Sequence, residues 1–215
     1  MAQDNIDKQD MKGILEQFPE HCKKAILLGK NISFGQNEKF ESIVICGMGG
    51  SAISGDLLKN IAFDSKIPII TSRDYNLPSY VMEKSLVFVA SYSGNTEETI
   101  SSFEDALKRK CKIVAISAGG KLEEIAKKNK MPHIKIPSGI QPRLATAYLF
   151  FPMLNVLRNS NIVLISDKEI DEMIKFVQKK DFKSQAIEIA KKLFGKIPII
   201  YASGRFYSVA MKWKT

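Results

Sequence analysis

The chain has 215 residues, 45% of them apolar and 26% charged, which suits a soluble globular protein of one common-sized domain plus something extra. No apolar run approaches the ~18 residues of a membrane span, and the polar N-terminus MAQDNIDKQD is unlike a secretion signal. Thirty-two basic against 23 acidic residues leave a net charge of +9. The lysines lie in short clusters such as Lys127-Lys128 and Lys179-Lys180 with acidic neighbours, and no aromatic-interleaved basic stripe marks a nucleic-acid surface. Cys22, Cys46 and Cys111 are far apart with no CxxC pair, so neither a disulfide framework nor a metal cluster is supported, and a cytoplasmic location is expected.

Met11 to about Leu28 reads as an opening helix, with Ile14, Leu15, Phe18, Cys22, Ile26 and Leu27 near helical spacing and Pro19 placed to kink or split it. A first strand over Ser42–Cys46 runs into GMGGSAISG and a helix ending near Asn60. A second strand covers Ile67–Thr71 and a third Leu86–Ser91, followed by a helix from Thr96 to about Lys110. Then come a strand at Lys112–Ser117, a short helix through Leu122–Lys128 and a brief strand at His133–Ile136. "IVIC", "LVFVA" and "IVAI" are continuous apolar runs, as parallel strands buried on both faces require. The pattern predicts an α/β domain with a five-stranded parallel sheet flanked by helices, its ligand edge at the C-terminal ends of the strands.

From Pro142 the pattern turns helical: PRLATAYLFFPMLNVL, then Asp167–Lys179, then Ser184–Leu193. GKIPIIYASGRFYSVAMKWKT then repeats the order apolar strand, small-residue turn, helix start seen in FESIVICGMGGSAISGDLLKN. The expected organisation is residues 1–160 for the N-terminal helix and first domain, 161–195 for a helical connector, and 196–215 for the first βα unit of a second, incomplete domain.

Two turns carry the chemistry. GMGGSAISG leaves a buried strand and enters a helix, whose first-turn N–H groups favour an anion. Gly47, Gly49 and Ala52 fit the dinucleotide pattern GxGxxA, with Arg73 or Asp74 available to a ribose or its phosphate. Alternatively Gly50 and Ser51 hold a single phosphate or a sugar hydroxyl; the turn alone leaves both open, beside a plain strand-to-helix glycine turn. ASYSGNTEET, at the end of the third strand, favours the second reading. Ser91, Ser93 and Thr96 converge beside free helix N–H groups at the same sheet edge, and Gly94 allows the sharp turn. Thr96 also reads as an ordinary N-cap, but a dinucleotide fold needs no second hydroxyl-rich cradle. Hydroxyls and main-chain donors together can hold phosphate oxygens, each charge-assisted bond contributing roughly 1.5–3 kcal/mol.

SYSGNTEET after one strand, with GMGGSAISGDLL after an earlier one, resembles the sugar isomerase (SIS) domain. GMGGSAISGDLL together with SGIQPRLATAYLFFPML resembles more narrowly the bifunctional phosphoglucose/phosphomannose isomerases of archaea and some bacteria. The resemblance implies interconversion of glucose 6-phosphate and mannose 6-phosphate with fructose 6-phosphate through a cis-enediolate, without metal, nucleotide or other cofactor. It implies a phosphorylated hexose as partner and a homodimer, while the charge pattern and the lack of a long apolar run give no expectation of nucleic acid or membrane. It assigns substrate binding to Gly50, Ser51, Ser91, Ser93 and Thr96, and catalysis to Arg143 of QPR, the arginine near the enediolate oxygens. A fixed guanidinium at developing negative charge is chemically suited to that role.

The family's glutamate base, ring-opening histidine and sugar-side lysine are implied to lie in the second SIS domain, beyond YASGRFYSVAMKWK. The expectation is therefore a truncated chain with the phosphosugar-binding half of the site and without its base. His21 and His133 are expected to be structural or surface residues, and Glu97 and Glu98 to face solvent or the helix dipole. The alternatives are a phosphosugar-sensing module without catalysis, which as a DNA-binding regulator would need a helix-turn-helix, and a dinucleotide-binding protein.

Overall fold

The computed structural model describes residues 7–35, 38–179 and 181–214; the first six residues of the polar N-terminus, Lys180 of the second lysine pair and Thr215 lie outside the described residues. The opening helical pattern forms two helices, α1 (Met11–Glu16) and α2 (Phe18–Ala25). Pro19 is in the first turn of α2, where its missing N–H costs no hydrogen bond, so the proline starts a new helix.

Then follow β1 (Ser42–Cys46), α3 (Gly49–Ile61), β2 (Ile69–Ser72), β3 (Ser85–Ala90), α4 (Glu97–Lys108), β4 (Lys112–Ser117), α5 (Gly120–Lys128) and β5 (His133–Lys135). A 3-10 turn (Pro142–Leu144) leads into α6 (Thr146–Asn159), α7 (Asp167–Lys179) and α8 (Phe182–Leu193). A second 3-10 turn (Gly204–Phe206) precedes α9 (Tyr207–Lys214).

The five strands form one parallel sheet in the order β2-β1-β3-β4-β5. Alternate side chains divide between two cores, as the two-residue period of a strand dictates. Ile43, Ile45, Leu86, Phe88, Val114 and Ile116 pack with α2, α3 and α6 on one face. Val44, Cys46, Val87, Val89, Ile113 and Ala115 pack with Phe103 and Ala106 of α4 and Leu122 and Ala126 of α5 on the other. The chain leaves β1 toward one face and β3 toward the other, so a crevice opens between the C-terminal ends of these adjacent strands. That is the topological switch point where open α/β sheets bind ligands.

Ile170 and Ile174 of α7 join the first core, so the start of the expected connector is packed into the first unit. α6 is buried along nearly its whole length, and Asn155 fixes α2 to it by donating to the carbonyls of Ile26 and Leu28 at 2.8 and 2.7 Å. The apolar run before α9 differs from expectation. No strand forms there among the described residues, and Ile197 and Ile199 are 92% and 73% exposed. A strand requires a neighbouring ladder, and none of the described strands pairs with this run. The expected helix is present: α9 packs on α3, with Asn60 donating to the Ser208 hydroxyl and the Arg205 guanidinium 3.8 Å over the Phe63 ring.

Candidate functional site

Gly47 leaves β1 so close to β3 that a Cβ there would sit 3.0 Å from the Ala90 carbonyl oxygen. Gly49 opens α3 at φ +50°, a left-handed conformation that glycine adopts without a steric penalty. At the start of α3 the Ser51 N–H donates to the Met48 carbonyl at 3.0 Å, and the N-cap Met48 gives no side-chain cap, so the N–H groups of Gly49 and Gly50 precede the first helical bond. Ser51 is buried within that turn, and Ser54 donates back to the Gly50 carbonyl at 3.0 Å. Gly50 faces the Arg143 turn: a Cβ on it would lie 3.0 Å from the Pro142 carbonyl oxygen and 3.4 Å from Cα of Arg143.

The second turn follows β3. Ser91 is buried, its hydroxyl accepting the Gly94 N–H at 3.1 Å and lying 2.9 Å from the Thr96 hydroxyl. Thr96 is thereby engaged with Ser91 and gives α4 no side-chain cap, leaving the helix N-terminus to another acceptor. Ser93 is exposed, and its hydroxyl accepts the Asn95 N–H at 3.2 Å. Gly94 is at φ +75° and presses against the next turn of the sheet edge.

That next turn, after β4, holds the Ser93–Asn95 loop from behind. Leu122 N–H donates to the Gly94 carbonyl and Lys121 N–H to Oδ1 of Asn95, each at 2.9 Å. His133 donates from Nε2 to the Ser117 hydroxyl at 2.8 Å, because that hydroxyl itself donates to the Gly119 carbonyl at 2.8 Å. Burial holds the His133 imidazole below its usual pKa, and both histidines are built into the framework. Glu123, paired with Lys127 and Lys135, is held down to about 2.

The structure thus brings Gly50, Ser51, Ser91, Ser93 and Thr96 to two turns of one edge, with the exposed Arg143 on a third turn resting on Gly50. Lys212 of α9 reaches the same place, donating to the Arg143 carbonyl; burial first, then the Arg143 charge, lower its pKa. Sequence reasoning gave no role to Tyr92, the β4–α5 glycine turn or Lys212. Gly119-Gly120 directly after a buried strand was the available signal for the second; Lys212 carried none, since its contact spans 69 positions. The residues a dinucleotide reading would use are engaged locally: Arg73 pairs with Asp56, and Asp74 accepts the Tyr75 N–H at 2.7 Å. No group of three or more His, Cys, Asp or Glu side chains among the described residues is placed to hold a metal ion. No helix among them is long and apolar enough to cross a membrane.

The sheet order β2-β1-β3-β4-β5, with helices on both faces, is the α/β fold of the sugar isomerase (SIS) phosphosugar isomerase domains. The C-terminal domain of glucosamine-fructose-6-phosphate aminotransferase from Francisella tularensis superposes with a TM-score of 0.68 over 99% of this chain and 67% of that one, at 18% identity. No protein-family model matches the chain. The bifunctional phosphoglucose/phosphomannose isomerase of Caldicellulosiruptor bescii is 43% identical over 92% of this chain, and that of Thermoplasma volcanium 38% identical over 93%. The chain is thus similar to the bifunctional phosphoglucose/phosphomannose isomerases, and it spans 62% and 63% of the length of these two relatives.

Proposed function

We propose that the chain binds a phosphorylated hexose and supplies the phosphate cradle and Arg143 to an isomerase that interconverts glucose 6-phosphate or mannose 6-phosphate with fructose 6-phosphate. The observation that carries this reading is the juxtaposition of the Ser91–Thr96 turn, the Gly49–Ser51 helix start and Arg143 at one switch point.

In this reading the phosphate lies against Ser93, Thr96 and the uncapped start of α4, while Ser91 shapes the turn from within. The sugar then extends toward Gly50, Ser51 and Arg143. Isomerisation removes the proton from C2 of the aldose, forms an enediolate and returns a proton to C1. The Arg143 guanidinium stabilises the oxygens as they gain charge, worth roughly 3 kcal/mol for one well-placed donor. In this reading the proton-transferring base comes from outside these three turns. A homodimer that completes the site, and a cytoplasmic location, belong to the same proposal.

A thermal-shift titration with fructose 6-phosphate, NAD and NADP tests the reading. Stabilisation by the sugar phosphate alone, weakened in Ser93→Ala, is expected; stabilisation by a nucleotide instead would overturn it.

A further inference from the structure

Tyr92 stands between two residues assigned to the substrate, Ser91 and Ser93, but it is only 9% exposed and packs in the core shared by α2, α3 and α6. Its hydroxyl accepts the N–H of Ile140 at 2.7 Å, across 48 positions of sequence. Its own carbonyl accepts the Ala118 N–H at 2.9 Å, so the main chain of Tyr92 is fixed to the end of β4.

Ile140 is three residues before Arg143. The segment around it turns at Gly139, φ +84°, and closes into the 3-10 turn through the Leu144 N–H to Gln141 carbonyl bond of 2.8 Å. Upstream, the Ile136 N–H donates to the Ser117 carbonyl at 3.0 Å, and between these two anchors the chain is held by the Tyr92 hydroxyl.

We propose that Tyr92 is a positioning residue that ties the phosphate-holding turn to the turn carrying Arg143, and so sets the spacing between the phosphate and the reacting carbons. The inference rests on the phosphosugar reading above. A hexose 6-phosphate has its anion on C6 and its chemistry at C1 and C2, so both ends are met only if the two turns keep a set separation. A phosphate ion spans no such distance and is insensitive to it.

The test is calorimetric titration of wild type and Tyr92→Phe with fructose 6-phosphate and, separately, with inorganic phosphate, alongside Tm and the hydrogen exchange of the Ile140 amide. The variant is expected to bind fructose 6-phosphate about fivefold more weakly and inorganic phosphate within about twofold of wild type. The Ile140 amide should lose protection while Tm changes by only a few degrees. Equal weakening of both ligands, no weakening of either, or a collapse in Tm with loss of both would mark Tyr92 as core packing and overturn the assignment. A wild type that binds neither ligand overturns the phosphosugar reading itself, and the Tyr92 assignment with it.

Discussion

Gly50 and Arg143 are in backbone contact across 93 positions of sequence: a Cβ on the glycine would lie 3.4 Å from Cα of the arginine. The first turn of α3 thus has a second task beyond presenting N–H groups, since it is the surface on which the Arg143 turn rests. Gly50→Ala should displace that turn by a few tenths of an ångström, because the Pro142 carbonyl at 3.0 Å is backbone and gives way only with its neighbours. The expected outcome is about tenfold weaker fructose 6-phosphate binding by calorimetry, with a urea midpoint close to wild type.

Gly94 is a harsher case. A Cβ there would fall 1.8 Å from the Gly119 carbonyl oxygen, at a residue already at φ +75°. Gly94→Ala combines left-handed strain with a clash between two backbones, and should cost at least about 3 kcal/mol in a denaturant titration. A loss of binding without a loss of stability would contradict the view that this turn is braced by the one after β4.

Stability should fall as the solution is acidified from pH 7.5 to 5.5. Burial lowers the pKa of His21, whose buried Nδ1 has no hydrogen-bond partner among the described residues, and of His133. Both groups therefore bind protons more weakly when folded. Stability is unaffected well above the unfolded histidine value of about 6.5 and declines below it, since the unfolded chain takes up the protons first. The carboxylates with lowered values, such as Glu123 at about 2, act in the same sense but only at lower pH, and so stay out of this window. Urea midpoints of His21→Phe and His133→Gln against wild type at the two pH values should show a shallower decline in each.

The thiols should be silent. Cys22 and Cys46 are buried, and desolvation pushes both up to about 12; Cys111 is buried and shifted in the same direction. Native protein at pH 8 should react with an aromatic disulfide reagent at a small fraction of the unfolded rate, and three equivalents should appear in denaturant. Fast native reaction would show that these strands open readily.

The sheet was legible because its strands are uniformly apolar: β1 and β4 begin and end where the sequence places them. β2 starts at Ile69, two residues later than expected, because Pro68 has no N–H for a ladder and Ser65 holds Ile67 in a bend through its hydroxyl. The hydroxyls of SYSGNT pointed to the turn that the proposed reading gives to the phosphate, but composition alone did not divide them between Ser91, which shapes the loop, and the more accessible Ser93. Tyr92 and Lys212 were illegible for one reason: each acts through a contact with distant backbone, on Ile140 and Arg143 respectively. The apolar run at Ile197–Tyr201 has the composition of a strand, yet composition does not supply the neighbour that a strand needs.

In the proposed reading the roles divide along the sugar, with the phosphate at the Ser93 turn and the developing enediolate charge at Arg143. That division is tested most directly by titrating wild type, Ser93→Ala and Arg143→Ala with fructose 6-phosphate and with an aldonate phosphate whose carboxylate stands where the enediolate oxygens form. Ser93→Ala should weaken both ligands by a similar factor, while Arg143→Ala should weaken the aldonate phosphate about tenfold more than the sugar phosphate. Equal losses for both ligands in Arg143→Ala, or none in Ser93→Ala, would contradict the account.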